Sequence, residues 1–126
     1  MLWCKSMIML DANIILRYLM NDNIEMAEKA EEYINSDEVT VTIEVVAEVV
    51  YVLKGVYSLE RELIVDTIKD FIGLVDCSEK DVLLSALDTY KDYNLDFIDC
   101  VLYAYHKVKN IEIVTFDKKL NKLLSE

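Results

Sequence analysis

Four acidic residues stand in segments that otherwise build a core: Asp11 in MIMLDANIILRYL, Glu48 in IEVVAEVVYVL, Asp99 in DFIDCVLYAY and Asp117 in EIVTFDKKL. A carboxylate that loses water without a partner costs several kcal/mol, so each of the four asks for one. The chain has a single His, and few Lys or Arg lie near these positions. A divalent cation is the simplest group that satisfies all four together, and the pattern points to a metal-dependent enzyme. An all-oxygen donor set without His or Cys suits Mg²⁺ or Mn²⁺ rather than Zn²⁺. Two carboxylates ~4 Å apart repel by about 4 kcal/mol at an effective dielectric of 20, so such a cluster is poor without a cation.

Each acid also has a plainer reading. Asp11 follows an apolar run and precedes a helical one, the position of an N-cap, and a cap role is compatible with a metal role. Asp96 and Asp99 are spaced as a capping-box-like pair at a helix start. Asp117, followed by Lys118 and Lys119, reads as an N-cap or as one half of a surface ion pair. Glu48 sits mid-segment between Ala47 and Val49, where the plain alternative is an exposed helix face. The joint pattern favours a common site.

The elements that must position these acids follow from periodicity. Met7 to Leu10 reads as a buried strand that delivers Asp11 at its carboxyl end. Helical spacing runs over 12–19 and 24–34, with Asn21, Asp22 and Asn23 as turn and cap between them. Val39 to Thr42 is a second strand. Glu44 to Tyr57 is β-branched, but fourteen residues without a turn signal keep a helical face and predict a helix carrying Glu48. A helix over 59–72 leads to Gly73 and a strand at Leu74 to Val75; 81–90 is helical again. Asp96 caps a helix to about Lys109, and Asn110, tolerant of a left-handed conformation, ends it. A strand from Glu112 to Thr115 precedes Asp117, which opens a last short helix. Alternating strands and helices predict an α/β fold, a three-layer sandwich around a mainly parallel sheet of four to five short strands. Ligand sites of such sheets lie beyond the carboxyl ends of the strands, where Asp11 and Asp117 fall.

Composition bounds the rest. With 126 residues, 54% of them hydrophobic, and two glycines and no proline to make a linker, residues 1–126 are expected to form a single domain. Lys5, Asp11 and Arg17 interrupt the apolar N-terminus, and no run reaches the ~18 residues of a membrane span, so a soluble, cytoplasmic protein is expected. Cys4, Cys77 and Cys100 lack the spacing of a disulfide framework or thiolate site and read as reduced thiols. The formal net charge of −11 opposes long-range attraction of nucleic acid and suits a basic protein partner, although local cations beside a filled metal site would still hold a phosphodiester. Arg17, Lys54, Lys118 and Lys119 are the candidates for phosphate contact, with solvated surface charge as the plain reading of each. The chain has no GxxxxGK[ST], GxGxxG, GxSxG or HExxH. His106 lacks a partner at ligand spacing, and the tyrosines read mainly as packing and interface material.

On these residues the chain resembles the PIN-domain ribonucleases, in particular the VapC-like toxins of toxin–antitoxin pairs. LDANIILRYL is similar to the family's opening strand and helix, which implies Asp11 as a metal ligand supported by Asn13. TIEVVAEVVYVL resembles the segment that carries the family's glutamate, here Glu48. LDFIDCVLYAY is similar to the third acidic segment, with Asp99 the ligand and Asp96 its neighbour. IEIVTFDKKL resembles the last, with Thr115 a supporting hydroxyl and Asp117 the final acid. Ala12 stands where Thr or Ser is common and Asn110 where Gly is common; neither removes a ligand.

The resemblance implies a Mg²⁺- or Mn²⁺-dependent endoribonuclease, with Asp11, Glu48, Asp99 and Asp117 holding the cation that activates a water. It also implies an RNA substrate, a homodimer and a cognate antitoxin protein as partner. Two alternatives stand beside this reading: an RNA-processing or DNA-acting nuclease on the same scaffold, and an inert PIN-like interaction module. An Asp-phosphorylated receiver or phosphatase would want paired acids beside the first strand, and DAN offers one.

Overall fold

The structure, a computed structural model, describes residues 7–36 and 38–126. Cys4 and Lys5 lie outside them. The order along the chain is β1 (Met7–Met9), α1 (Ala12–Met20), α2 (Ile24–Ser36), β2 (Glu38–Val41), α3 (Ile43–Gly55), α4 (Arg61–Ile72), β3 (Asp76–Cys77), α5 (Lys80–Asp92), α6 (Phe97–Lys109) and α7 (Lys118–Leu124). Among the described residues the sheet has three parallel strands in the order β1-β2-β3, with Ile8 opposite Val39 and Thr40 opposite Asp76.

The α/β class and the parallel sheet are as the periodicity predicts; among the described residues the sheet has three strands rather than the expected four to five. The strand expected over Glu112 to Thr115 is absent from the sheet, and residues 110–117 run as irregular backbone between α6 and α7. The pattern IEIVTF carries the local preference for a strand, but a strand exists only when a neighbour completes its ladder. Here β1 pairs with β2 alone among the described residues. The segment's apolar side chains stay in water: Val114 is 88% exposed and Phe116 fully so. The third strand falls at Asp76–Cys77, two residues after the expected Leu74–Val75, because Leu74 is taken into the turn that closes α4, its N–H donating to the Phe71 carbonyl.

The helix ends follow their sequence signals. Asp11 caps α1, its Oδ1 accepting from the Ile14 N–H at 3.0 Å. Asn21 closes α1 in the left-handed region at φ 50°, and the Asn23 side chain accepts from the Met26 N–H at 3.1 Å to start α2. Thr42 caps α3 through the Val45 N–H at 3.3 Å. Asn110 ends α6 at φ 57°, the left-handed stop its residue type favours.

The core gathers Val41 from the sheet, Val46, Val49 and Leu53 from α3, Ile64 and Ile68 from α4, and Leu83 and Leu87 from α5, all fully buried. These positions recur at helical spacing and fix the inward face of each helix. What remains outward on α3 is the face with Glu44, Glu48, Tyr51 and Lys54, all exposed. The same patterning that buries the core therefore turns the Glu48 helix toward the surface.

Candidate acidic site

Asp99 sits in the first turn of α6 between the buried Phe97 and Cys100, and is itself only partly exposed. Burial, the charge of Asp117 and then that of Asp96 hold its carboxyl above the ordinary carboxylate range. Burial and like charge are the means by which functional sites perturb their acids, and they also occur in structural charge networks. Asp96 occupies the N-cap position with extended backbone but makes no side-chain cap hydrogen bond. The expected capping-box pair of Asp96 and Asp99 is therefore not formed, and like charge, rather than a reciprocal bond, links the two residues.

Arg61 fixes the approach to α6. Its Nη1 donates to the carbonyls of Tyr90, Tyr93 and Leu95 at 3.0, 2.9 and 2.7 Å. The guanidinium also lies 4.1 Å from the centre of the Tyr90 ring, which meets Phe97 edge-on at 5.7 Å. One side chain from the start of α4 thus pins the α5–α6 connection, and with it the register at which α6 presents Asp99. No local sequence signal marks Arg61 for this role, since its partners lie about thirty residues further on.

Asp117 caps α7, its Oδ1 accepting from the Leu120 N–H at 2.8 Å. The Thr115 hydroxyl accepts from the Asp117 N–H at 3.0 Å, and the Asn121 side-chain amide donates to the Thr115 carbonyl at 2.8 Å. Thr115 thus supports Asp117 directly, and Asn121 is a further support that the sequence did not single out. Leu120 and Leu123 bury the inner face of α7, which anchors the cap. Asp11 lies just beyond β1 at the start of α1, exposed, with Asn13 exposed in the same helix's first turn. Glu48 is exposed on α3, as its plainer reading supposed.

The structure therefore brings Asp99 within reach of the charges of Asp117 and Asp96. It does not gather the four expected carboxylates: among the described residues no three His, Cys, Asp or Glu side chains converge closely enough to hold a metal ion. The donor chemistry suits a hard cation, and the facing Asp99 and Asp117 are the pair that such a cation would relieve; the closed ligand set is not assembled in this arrangement.

The surroundings of Asp99 add a groove. A cavity of about 550 Å³ lies between α3 and the start of α6; Tyr51, Lys54, Arg61, Asp96, Ile98 and Asp99 line it, over a floor that includes Val50 and Phe97. Lys54 is the one of the four expected phosphate-contact candidates that reaches this groove. Arg17 is instead paired with Asp22 at 3.1 Å, an acid also bound by the Tyr57 hydroxyl at 2.8 Å. His106 is a structural tie, its Nδ1 3.0 Å from the Ile111 carbonyl oxygen. Burial pushes the Cys100 thiol up to about 12.

The PIN domain family matches residues 8–123, and the chain belongs to that family. No curated protein matches the chain, and no solved structure does. PIN domains are generally nucleases, act on nucleic acids and typically bind divalent metals. No helix among the described residues is long and apolar enough to cross a membrane.

Proposed function

We propose that the protein is a Mg²⁺- or Mn²⁺-dependent endoribonuclease, the toxin of a toxin–antitoxin pair, formed by residues 1–126 as one cytoplasmic domain. The observation that carries the reading is the PIN family match over residues 8–123, with Asp99 partly buried at the start of α6 beside the groove. Asp99 and Asp117 would hold the cation, with Asp11 and Glu48 as the further carboxylates of the site. A divalent cation bound there supplies charge neutralisation at the phosphoryl oxygens and a lowered pKa for a bound water. The chain's own residues do the positioning: Arg61 sets the α6 register, Thr115 and Asn121 hold the Asp117 turn, and Asn13 and Asp96 flank the acids. A homodimer and an antitoxin partner are supported by the apolar residues left in water, Val114 and Phe116 above all, and by a net charge of −11 that suits a basic inhibitor.

A second reading, a PIN-like interaction module that does not cut, draws on one observation: among the described residues no three His, Cys, Asp or Glu side chains converge to hold a metal. One experiment separates the two. Purified protein, freed of co-purifying partners, is incubated with labelled single-stranded and structured RNA plus Mg²⁺ or Mn²⁺, beside EDTA, Asp11→Asn and Asp99→Asn controls. Metal-dependent cleavage lost in all three controls is the expected result. Absence of cleavage on a broad RNA panel, with no heat of metal binding by calorimetry, would leave the interaction module. Cleavage of DNA in preference to RNA would instead support a DNA-acting nuclease on the same scaffold.

A further inference from the structure

The segment between α6 and α7 has the pattern of a strand without its ladder. Exposure alternates along it: Ile113 and Thr115 are half-buried, while Glu112, Val114 and Phe116 face water. β1 alternates in the same way, with Ile8 half-buried between the exposed Met7 and Met9. A period of two marks extended chain with one face turned inward. Among the described residues, however, no backbone–backbone hydrogen bond involves residues 111–116, and β1 pairs with β2 alone.

The engaged carbonyls show which edge of the segment is open. The Ile111 carbonyl oxygen lies 3.0 Å from His106 Nδ1, and the Thr115 carbonyl accepts from the Asn121 side-chain amide at 2.8 Å. In extended chain the N–H and C=O of one residue point to one side and those of the next residue to the other. Side chains of α6 and α7 therefore hold the edge formed by Ile111, Ile113 and Thr115. The opposite edge, with the N–H and C=O groups of Glu112, Val114 and Phe116, is a template for a second strand. A parallel fit on β1 that sets the outward Val114 beside the outward Met9 puts Asp117 within one residue of Asp11, on strands ~4.8 Å apart. Asp99 already feels the charge of Asp117, so the docked strand gathers three acids. Lys118 and Lys119 follow Asp117, but among the described residues neither pairs with it. Like charge thus opposes docking.

We infer that residues 111–116 are a conditional fourth strand, kept off β1 by like charge at Asp11 and Asp117 and docked when that charge is offset. The choice of a divalent cation as the offsetting group rests on the metal-dependent reading, which the inference deepens: the acidic site is assembled by closure of this segment and opened by its release. Met7, Met9, Val114 and Phe116 stay on the outer face in the docked arrangement. Ladder bonds and relief of charge, rather than burial of these side chains, therefore drive the change.

The test is amide hydrogen exchange of the full chain, resolved by residue with NMR, in EDTA and in Mg²⁺, on wild type, Val114→Pro and Asp11→Asn. Val114→Pro removes a ladder N–H, and Asp11→Asn keeps an α1 cap while removing one of the two charges. A thermal melt by circular dichroism checks that each variant stays folded. In wild type, Mg²⁺ at 100 times its Kd is expected to raise protection of the Glu112, Val114 and Phe116 amides about 100-fold, while the Ile113 amide, on the other edge, stays fast. Val114→Pro is expected to lose the rise at Glu112 and Phe116. Asp11→Asn is expected to exceed wild type in EDTA and to gain little more from Mg²⁺. Mg²⁺ binding by calorimetry without a rise in protection would overturn the closure and leave the metal-dependent reading standing. Equal protection of Asp11→Asn and wild type in EDTA would overturn it too, and protection that grows with protein concentration would assign the edge to a second copy instead. Absence of Mg²⁺ binding and of RNA cleavage, with Asp11→Asn still protected above wild type, sinks the metal-dependent reading alone.

Discussion

At the scale of single residues the informative group is Asp99, because its environment works against its ionised form. Burial and the charges of Asp117 and Asp96 raise its pKa above the unfolded value. A carboxyl with a raised folded-state pKa contributes stability that is fully present below the unfolded value, about 3.9, and lost as pH rises through the folded value. At pH 7 the ionised Asp99 therefore burdens the fold. Asp99→Asn is expected to raise the melting temperature at pH 7 by a few degrees at most, with the gain vanishing as pH falls below about 4, while cleavage is lost. Differential scanning calorimetry between pH 3 and 7 decides it; a variant less stable than wild type at pH 7 would show that Asp99 has a stabilising partner instead. Asp99 and Asp117 drew notice in the sequence as acids in apolar segments; in the structure Asp99 is partly exposed and Asp117 exposed. The exposed helix face was the plainer reading of Glu48, and the sequence could not choose it over a converging site, since a pattern of apolar neighbours gives the face of a helix only after its packing partners are known.

Elements were more legible than their assembly. Seven helices among the described residues fall where periodicity places them, because caps such as Asp11 and Asn110 carry their signal within a few residues, whereas Thr42, expected to end the second strand, instead caps α3. The stretch over 111–116 was misread because a strand depends on a neighbour that the local sequence does not encode. Arg61 was missed for a related reason: it joins α4 to the α5–α6 connection across about thirty residues. Its three charge-assisted bonds and its stack on Tyr90 give it a measurable weight. Arg61→Ala is expected to destabilise the fold by about 2–4 kcal/mol in urea unfolding. Arg61→Lys should recover less than half of that, because an ammonium keeps the charge but loses the planar face that lies on Tyr90. Cleavage measured well below the unfolding midpoint is expected to fall in both variants, through the displaced start of α6. Full activity in folded Arg61→Ala would separate the connection from the site.

For the whole molecule the governing quantity is a net charge of −11 set against very few cations beside the groove. Proteins that hold nucleic acid through many phosphate contacts lose affinity steeply with salt, by about 0.7 in log–log slope for each contact on a single strand. Lys54 and Arg61 are the cations that line the groove, beside the carboxylates of Asp96 and Asp99, and Arg61 is already committed to three carbonyls. One to two contacts predict a slope between about −0.7 and −1.4. Association should run against the usual trend: at 0.1 M salt the screening length is about 10 Å, so added salt shields RNA from the acidic surface and speeds encounter. Stopped-flow binding between 50 and 300 mM KCl is therefore expected to show an association rate that rises with salt and a dissociation rate that rises further. A slope of −3 or steeper, with association slowed by salt, would require a basic path elsewhere. The place to look would be α7, whose Lys119 and Lys122 border a second cavity of about 250 Å³ with Tyr93 and Asn94. Charge reversal of those two lysines would then flatten the slope, whereas under the Lys54 groove it leaves the slope unchanged.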